Sequence, residues 1–367
     1  MFNKTLRIFL ITFLVILIYS SSPTFAKTTT TKPAPKPKPI TKAYTRLFYC
    51  QNNSSAVTSF TTNWKSVDVL APQAYSIDAN GALSGGINPT LLALARQHGT
   101  KLMPLVVNKG FSSAVSAAFL DDPQKQKTAI DAMVAEAVNQ NFWGWQIDFE
   151  QIDVSYKDKF TKFVSDLNTA LDQVGKQTSV AVIAQTSRNP ADYPKDYWYK
   201  FIGVFDYAGL ATSSDFISLM TYDDPWSKGP VTRFSWLKDV VNFTLKSVPA
   251  EKVSIGIPLY YWRWNNTTGK RVAVGTYKQL VSTMNKHYVR SGYSKAEQAA
   301  YMTYTSRRMK YSIWFENSQS VKAKTDLIKK LGLNGFSAWA LGQEVPSVHK
   351  AIVSNAYQIM PQLADSL

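Results

Sequence analysis

The sequence predicts an α/β protein built as a (β/α)8 TIM barrel with a small α+β insertion between its seventh and eighth strands. Three observations lead there. From Tyr44 onward, eight short β-rich runs alternate with helical patterns. Strands separated by helices form a parallel sheet, and eight is the count at which such a sheet closes. Polar side chains gather at the C-terminal ends of those runs, where barrels of this kind keep their chemistry. The alternative, a doubly wound open sheet, gives no reason to stop at eight strands.

In order, the first strand is expected over Arg46 to Cys50 and the second over Val67 to Tyr75. Asn88 and Pro89 then open a helix whose apolar positions Leu91, Leu92, Leu94 and Ala95 lead to a stop at Gly99. The third strand is expected over Lys101 to Val107. Asp122 and Pro123 start a helix with Ala129, Ile130, Met133, Val134 and Val138 at helical spacing. Later strands are expected over Ser179 to Ile183, Asp215 to Met220, Val253 to Leu259 and Gly335 to Ala340. Helical patterns cover Tyr156 to Val174, Ser235 to Leu245, Val321 to Leu333 and the stretch after Pro346. The interval from Trp262 to Trp314 is too long for an ordinary βα loop and holds its own helical and β-like pieces. It is expected to wall the cleft.

The fourth strand, Phe142 to Glu150, organises the rest. Side chains alternate along a strand, so Trp145, Ile147 and Phe149 share one face, and Gly144, Gln146, Asp148 and Glu150 share the other. The first face suits packing under helices. The second ends in two carboxyls, which are costly to bury unless paired or wet. A carboxyl pair in a half-buried cleft is a means of raising one pKa so that an acid can donate near neutrality. Other polar or aromatic groups fall at the same end of neighbouring strands: Tyr75, Asn108, Gln185, Tyr222, Asp223 and Trp339.

Composition bounds the remainder. The chain has 367 residues, with 45% hydrophobic and 13% aromatic content, which describes a globular protein. Formal net charge is +16. Lys4, Arg7, Lys27, Lys32, Lys36, Lys38 and Lys42 lie before residue 44 with no acid among them; subtracting those seven leaves +9. Such a balance favours anionic surfaces such as a cell wall or a membrane. No nucleic-acid-binding pattern accompanies it. Cys50 is the only cysteine, so no intramolecular disulfide exists. His98, His287 and His349 are scattered, without metal-ligand spacing. No metal or cofactor is expected.

Residues 1–26 read as an export signal: Lys4 and Arg7, then an apolar run from Ile8 to Tyr19, then Thr24, Phe25 and Ala26. An uncleaved anchor is the alternative. Residues 27–43 are rich in Lys, Thr and Pro and are expected to serve as an extended linker. Residues 44–367 carry the barrel. A secreted or envelope location and a monomer are expected.

Taken together, these pieces resemble glycoside hydrolase family 18, in particular its spore-germination and cortex-lytic type. The fourth-strand motif of that family, D-G-x-[DN]-x-D-x-E, is matched by Trp143 to Glu150 with Trp143 and Gln146 as departures. Met220-Thr221-Tyr222-Asp223 matches its sixth-strand motif, preceded by Asp206-Tyr207 and Asp215. Lys252 to Tyr260, Trp314-Phe315-Glu316 with Ser320 and Lys324, and Gly335 to Glu344 resemble its later segments in order and spacing.

The resemblance implies retaining hydrolysis of β-linked N-acetylglucosamine glycans, peptidoglycan or chitin-like, in which the substrate's own acetamido group attacks the anomeric carbon. It implies Glu150 as general acid and base, Asp148 as the group that orients the acetamido N–H, and Tyr222 as a hydrogen-bond donor to its carbonyl. Asp223 would hold the sugar and Trp339 would stack beneath it. Trp143 is expected to point outward by alternation. Gln146 is expected to donate a hydrogen bond to Asp148 and keep it ionised. A non-catalytic glycan-binding barrel is the competing function, and an enzyme against N-linked glycans a third. Glu150, Asp148 and Tyr222 are all present, which favours the hydrolase.

Overall fold

The structure is a computed structural model that describes residues 44–194 and 196–357. The expected export signal and linker lie outside these residues. Eight parallel strands close into a ring: β1 (Thr45–Gln51), β2 (Val69–Ile77), β3 (Leu105–Asn108), β4 (Gly144–Ile147), β5 (Gln177–Ile183), β6 (Phe216–Met220), β7 (Val253–Pro258) and β8 (Gly335–Leu341). β1 pairs with both β2 and β8, which completes the closure. The connections carry helices α1 (Ser54–Asn63), α2 (Pro89–Gln97), α3 (Ser113–Leu120), α4 (Pro123–Asn139), α5 (Lys157–Asp172), α6 (Tyr207–Thr212) and α7 (Phe234–Thr244). The barrel architecture expected from the sequence is the one observed.

Local chemistry explains the element boundaries. The Asn88 side chain accepts from the backbone N–H groups of Thr90 and Leu91 at 3.0 and 3.3 Å, with Pro89 in the first turn. Asp122 does the same for Gln124 and Lys125 at 2.9 and 3.3 Å ahead of α4. The third strand is interrupted: Lys101–Leu102 pairs with β2, and β3 resumes only at Leu105. Pro104 lies in the gap and has no N–H to give the ladder.

Between β7 and β8 sits the insertion. Its five strands, Lys270–Gly275, Tyr261–Asn265, Met309–Phe315, Ala299–Ser306 and Arg290–Ser294 in spatial order, form an antiparallel sheet, with α8 (Tyr277–Lys286) alongside. α9 (Ser318–Leu331) then leads into β8, and α10 (Ser347–Tyr357) follows it. Lys324 on α9 is fully buried, with its ammonium 2.8 Å from both oxygens of Glu316. This pair ties the end of the insertion to the barrel wall.

The core has two layers. Inside the barrel lie Leu47, Tyr49, Val69, Ala71, Met103, Leu105 and Phe216. Between barrel and helices lie Trp145, Ile147 and Phe149, with Phe119, Phe160 and Phe163 packed around Phe149. The expected apolar face of the fourth strand therefore packs under helices, and the Trp145 indole N–H donates to the Met133 carbonyl at 2.9 Å.

Trp143 corrects an expectation. It does not point outward with Trp145 but packs against the barrel-interior cluster, stacked on Phe216 at 6.3 Å with the Lys101 ammonium 4.5 Å from its ring centroid. β4 begins only at Gly144, so strand alternation does not extend back to it.

Candidate active site

Asp148 and Glu150 extend β4 beyond its last paired residue, at the C-terminal end of the barrel. Both line a cleft of about 1070 Å³, together with Tyr222, Asp223 and Trp339. Five of the residues singled out from the sequence thus meet in one hollow. Asp148 is buried and Glu150 half-buried. The backbone holds them firmly: the Asp148 N–H donates to the Val106 carbonyl at 3.0 Å. The Glu150 N–H donates to Asn108 Oδ1 at 3.0 Å, and Asn108 Nδ2 donates to the Glu150 carbonyl at 2.9 Å.

Burial and mutual charge set the electrostatics. Burial pushes Asp148 well above the usual carboxylate range, and the Glu150 charge adds to it. Glu150 is also raised, first by burial and then by Asp223. Asp223 is raised by burial, opposed by the Tyr260 hydroxyl and by Arg271. Asp148 and Glu150 titrate as a pair displaced upward, which favours retention of a proton towards neutrality. Burial, reinforced by neighbours that include Tyr49 and Asp148, holds Tyr222 far above the ordinary phenol value, so it remains a neutral donor.

Close packing places the remaining groups. A Cβ on Gly256 would lie 2.8 Å from the Tyr222 ring and from the Leu219 carbonyl, so β7 carries glycine where the tyrosine crosses it. Asp223 adopts a left-handed backbone, φ +57°, and accepts a 2.7 Å hydrogen bond from the Tyr260 hydroxyl. Trp339, whose peptide to Ala340 is cis, packs on Tyr49 at 5.8 Å.

Four expected substrate contacts fall elsewhere. Tyr75 lies in the layer between barrel and helices, edge-on to Trp145 at 4.9 Å with its hydroxyl donating to Glu136 at 2.7 Å. The β2–β3 register shifts between Gln73 and Tyr75, so alternation flips there and Gln73 takes the cleft position. Asn108 is 1% exposed and spends its amide on Glu150, Ser116 and Ser112. It positions the acid rather than a ligand. Gln185 is buried, its amide donating to the Ile202 and Phe205 carbonyls at 3.0 and 2.9 Å. It straps the end of β5 to the segment before α6.

Gln146 is 0% exposed, and neither of its amide atoms has a hydrogen-bond partner among the described residues. The expected bond to Asp148 is therefore absent, and Asp148 is pushed up rather than held ionised. Two residues along a strand is about 6.6 Å, which carries Gln146 into the barrel interior beneath the cleft floor.

The cleft also holds residues that sequence reasoning passed over. Tyr49 enters from β1, Tyr260 from just beyond β7, and Trp262, Trp264 and Arg271 from the insertion. Tyr49 was accessible by alternation along its strand, while the insertion residues carry no local signal of their own. No cluster of His, Cys, Asp and Glu suited to a metal ion occurs among the described residues.

Comparison with known proteins agrees with this geometry. Among curated proteins, the chain is 25% identical over 313 residues to the uncharacterized glycosylase YvbX of Bacillus subtilis (strain 168), covering 83% of this chain and 89% of that one. It is 25% identical over 287 residues to the cortical fragment-lytic enzyme of the same organism, covering 76% of this chain but only 65% of that protein's length. The crystal structure of a chitinase from Chromobacterium violaceum ATCC 12472 superposes with a TM-score of 0.75 at 24% identity, over 86% of this chain and 99% of that one. Residues 16–344 match the family model described as glycosyl hydrolases family 18. A match over that much of the sequence, on a closed barrel with its acids at the expected end, means that the chain belongs to glycosyl hydrolases family 18 and is a glycosidase of that family.

Proposed function

We propose that this protein is an exported hydrolase of β-linked N-acetylglucosamine glycans, peptidoglycan or chitin-like, acting with retention through the substrate's acetamido group. The observation that carries this reading is the convergence of Asp148, Glu150 and Tyr222 on one cleft, with the two acids displaced upward in pKa. Protonated Glu150 gives its proton to the glycosidic oxygen as the bond to the anomeric carbon breaks. The acetamido carbonyl oxygen attacks that carbon and forms an oxazolinium ion. With the proton of the Asp148–Glu150 pair on Glu150, Asp148 is the carboxylate that accepts from the acetamido N–H and stabilises the positive ring, and the Tyr222 hydroxyl donates to the acetamido oxygen. Glu150, now a carboxylate, takes a proton from water as the water opens the ring with overall retention. Asp223 holds the sugar, and Trp339 provides an apolar surface for its face.

Export rests on the residues before Tyr44: a signal or anchor over 1–26, and a basic linker over 27–43 suited to an anionic wall. A cortical fragment-lytic enzyme among the relatives supports action on cell-wall glycan. The test is product analysis on purified peptidoglycan and on chitin oligomers, by mass spectrometry and by NMR of the first anomer formed. Cleavage to the β-anomer is expected. An α-anomer first, or binding of both glycans without cleavage, overturns the reading.

Two further outcomes follow from the geometry. Asn108→Ala leaves the Glu150 N–H and carbonyl unpaired, so a stability loss of about 1–3 kcal/mol is expected in urea unfolding. Misplacement of the acid should cost kcat up to about 10²-fold with little change in KM. Asp223→Asn removes the charge that, after burial, raises Glu150. Glu150 then ionises at lower pH, and the protonated acid is lost sooner. The alkaline limb of kcat/KM should move to lower pH; a limb that stays in place removes Asp223 from that role.

A further inference from the structure

Arg271 is the one positively charged residue among the described residues that line the cleft, which also holds the carboxyls of Asp148, Glu150, Asp223 and Asp224. Asp224 is already paired with Arg233, at 2.5 and 3.1 Å. Asp223 is within electrostatic reach of Arg271, but its Oδ1 is engaged by the Tyr260 hydroxyl at 2.7 Å. The Arg271 guanidinium makes no hydrogen bond to a described residue and has no described carboxylate within 4.0 Å.

It is nevertheless held in place. Arg271 lies on the insertion hairpin, paired across the strands with Trp264, and its guanidinium carbon is 4.2 Å from the centroid of the Trp262 ring. The contact with the buried Trp262 ring restrains an otherwise exposed guanidinium and leaves its N–H groups without a partner among the described residues. A planar, pre-set row of donors matches a carboxylate, which it can grip through two parallel bonds. A neutral sugar offers no such partner, and Thr276, Gln279 and Gln343 on the same wall already provide uncharged polar groups.

We propose that Arg271 recognises a carboxylate carried by the sugar chain, so that the preferred substrate is a glycan of alternating N-acetylglucosamine and lactyl-bearing N-acetylmuramic acid units rather than an unsubstituted N-acetylglucosamine polymer. This rests on the glycan-hydrolase reading above and narrows its substrate. The carboxylate comes either from the lactyl group or from a peptide attached to it.

The test uses the full chain with Glu150→Gln, which prevents turnover, and calorimetric binding of three disaccharide fragments. One has a free lactyl acid, one the lactyl methyl ester, and one a lactyl group amidated by a dipeptide with its own free carboxylate. The free acid, or the dipeptide fragment, should bind about tenfold more tightly than the ester, and the fragment that does so identifies the source. Adding Arg271→Gln should reduce the preference to within about twofold, Arg271→Lys should retain about half of it on a logarithmic scale, and added salt should weaken it. A preference unchanged by Arg271→Gln, or none in the parent, overturns the assignment. An N-acetylglucosamine tetramer serves as the reference: binding of the tetramer with no acid preference defeats only Arg271, whereas failure to bind any glycan defeats the glycan reading as well.

Discussion

Replacing Glu150 by glutamine is expected to lower kcat on a fluorogenic N-acetylglucosamine oligomer by about 10³-fold, within the 10²–10⁴ range that general acid–base catalysis contributes. The amide keeps the size of the acid but has no proton acidic enough to give the leaving oxygen. Its hydrogen bonds to Asn108 run through the backbone, at 3.0 and 2.9 Å, so they survive the change. Glycan affinity measured by calorimetry should therefore stay within a few-fold of the parent, and the melting temperature should hardly move. A loss of less than tenfold, with folding intact, would mean that some other group supplies the proton.

The second large effect is expected from Asp148→Asn: a fall in kcat of about 10²–10³-fold, comparable to removing one preorganised group that stabilises transition-state charge. The same substitution should stabilise the fold, which separates the catalytic effect from damage. Asp148 is buried, and its carboxyl is held well above the usual range by that burial and by Glu150. The native state therefore binds this proton more tightly than the unfolded chain does. Below the unfolded value, about pH 4, the acid is protonated in both states and costs nothing extra. As pH rises from there through the raised native value, the parent loses stability. Asparagine has no such loss, so the melting temperature of Asp148→Asn relative to the parent should be higher near neutrality and converge with it below about pH 4. A variant less stable at neutral pH and no less active would reverse both the electrostatic and the catalytic assignment. Conflict between stability and activity of this kind is common where function needs a buried charge.

Much of the site was legible because strands write their faces into the sequence. The alternation that set Trp145, Ile147 and Phe149 under helices also put Asp148 and Glu150 on the cleft side. The same logic failed wherever the strand did. At Tyr75 a register shift exchanged the faces. Trp143 precedes β4, and Gln185 follows the end of β5, so neither obeys the period. Asn108 is at the right end of its strand, but its amide found backbone partners in Glu150 before it reached the cleft. Gln146 has the right face and the wrong depth, and alternation carries no information about depth.

From the sequence alone came the barrel, its insertion, the family resemblance, and a pair of acids with a tyrosine and a tryptophan set to share one end of the sheet. These follow from local periodicity, which each segment expresses without knowing its neighbours. The tertiary structure decided which polar groups spend their hydrogen bonds on the backbone, how far the two acids are displaced, and that an arginine more than a hundred residues downstream of them enters their cleft on a hairpin. Those outcomes depend on burial and on contacts between distant segments, and neither quantity exists until the chain has closed on itself.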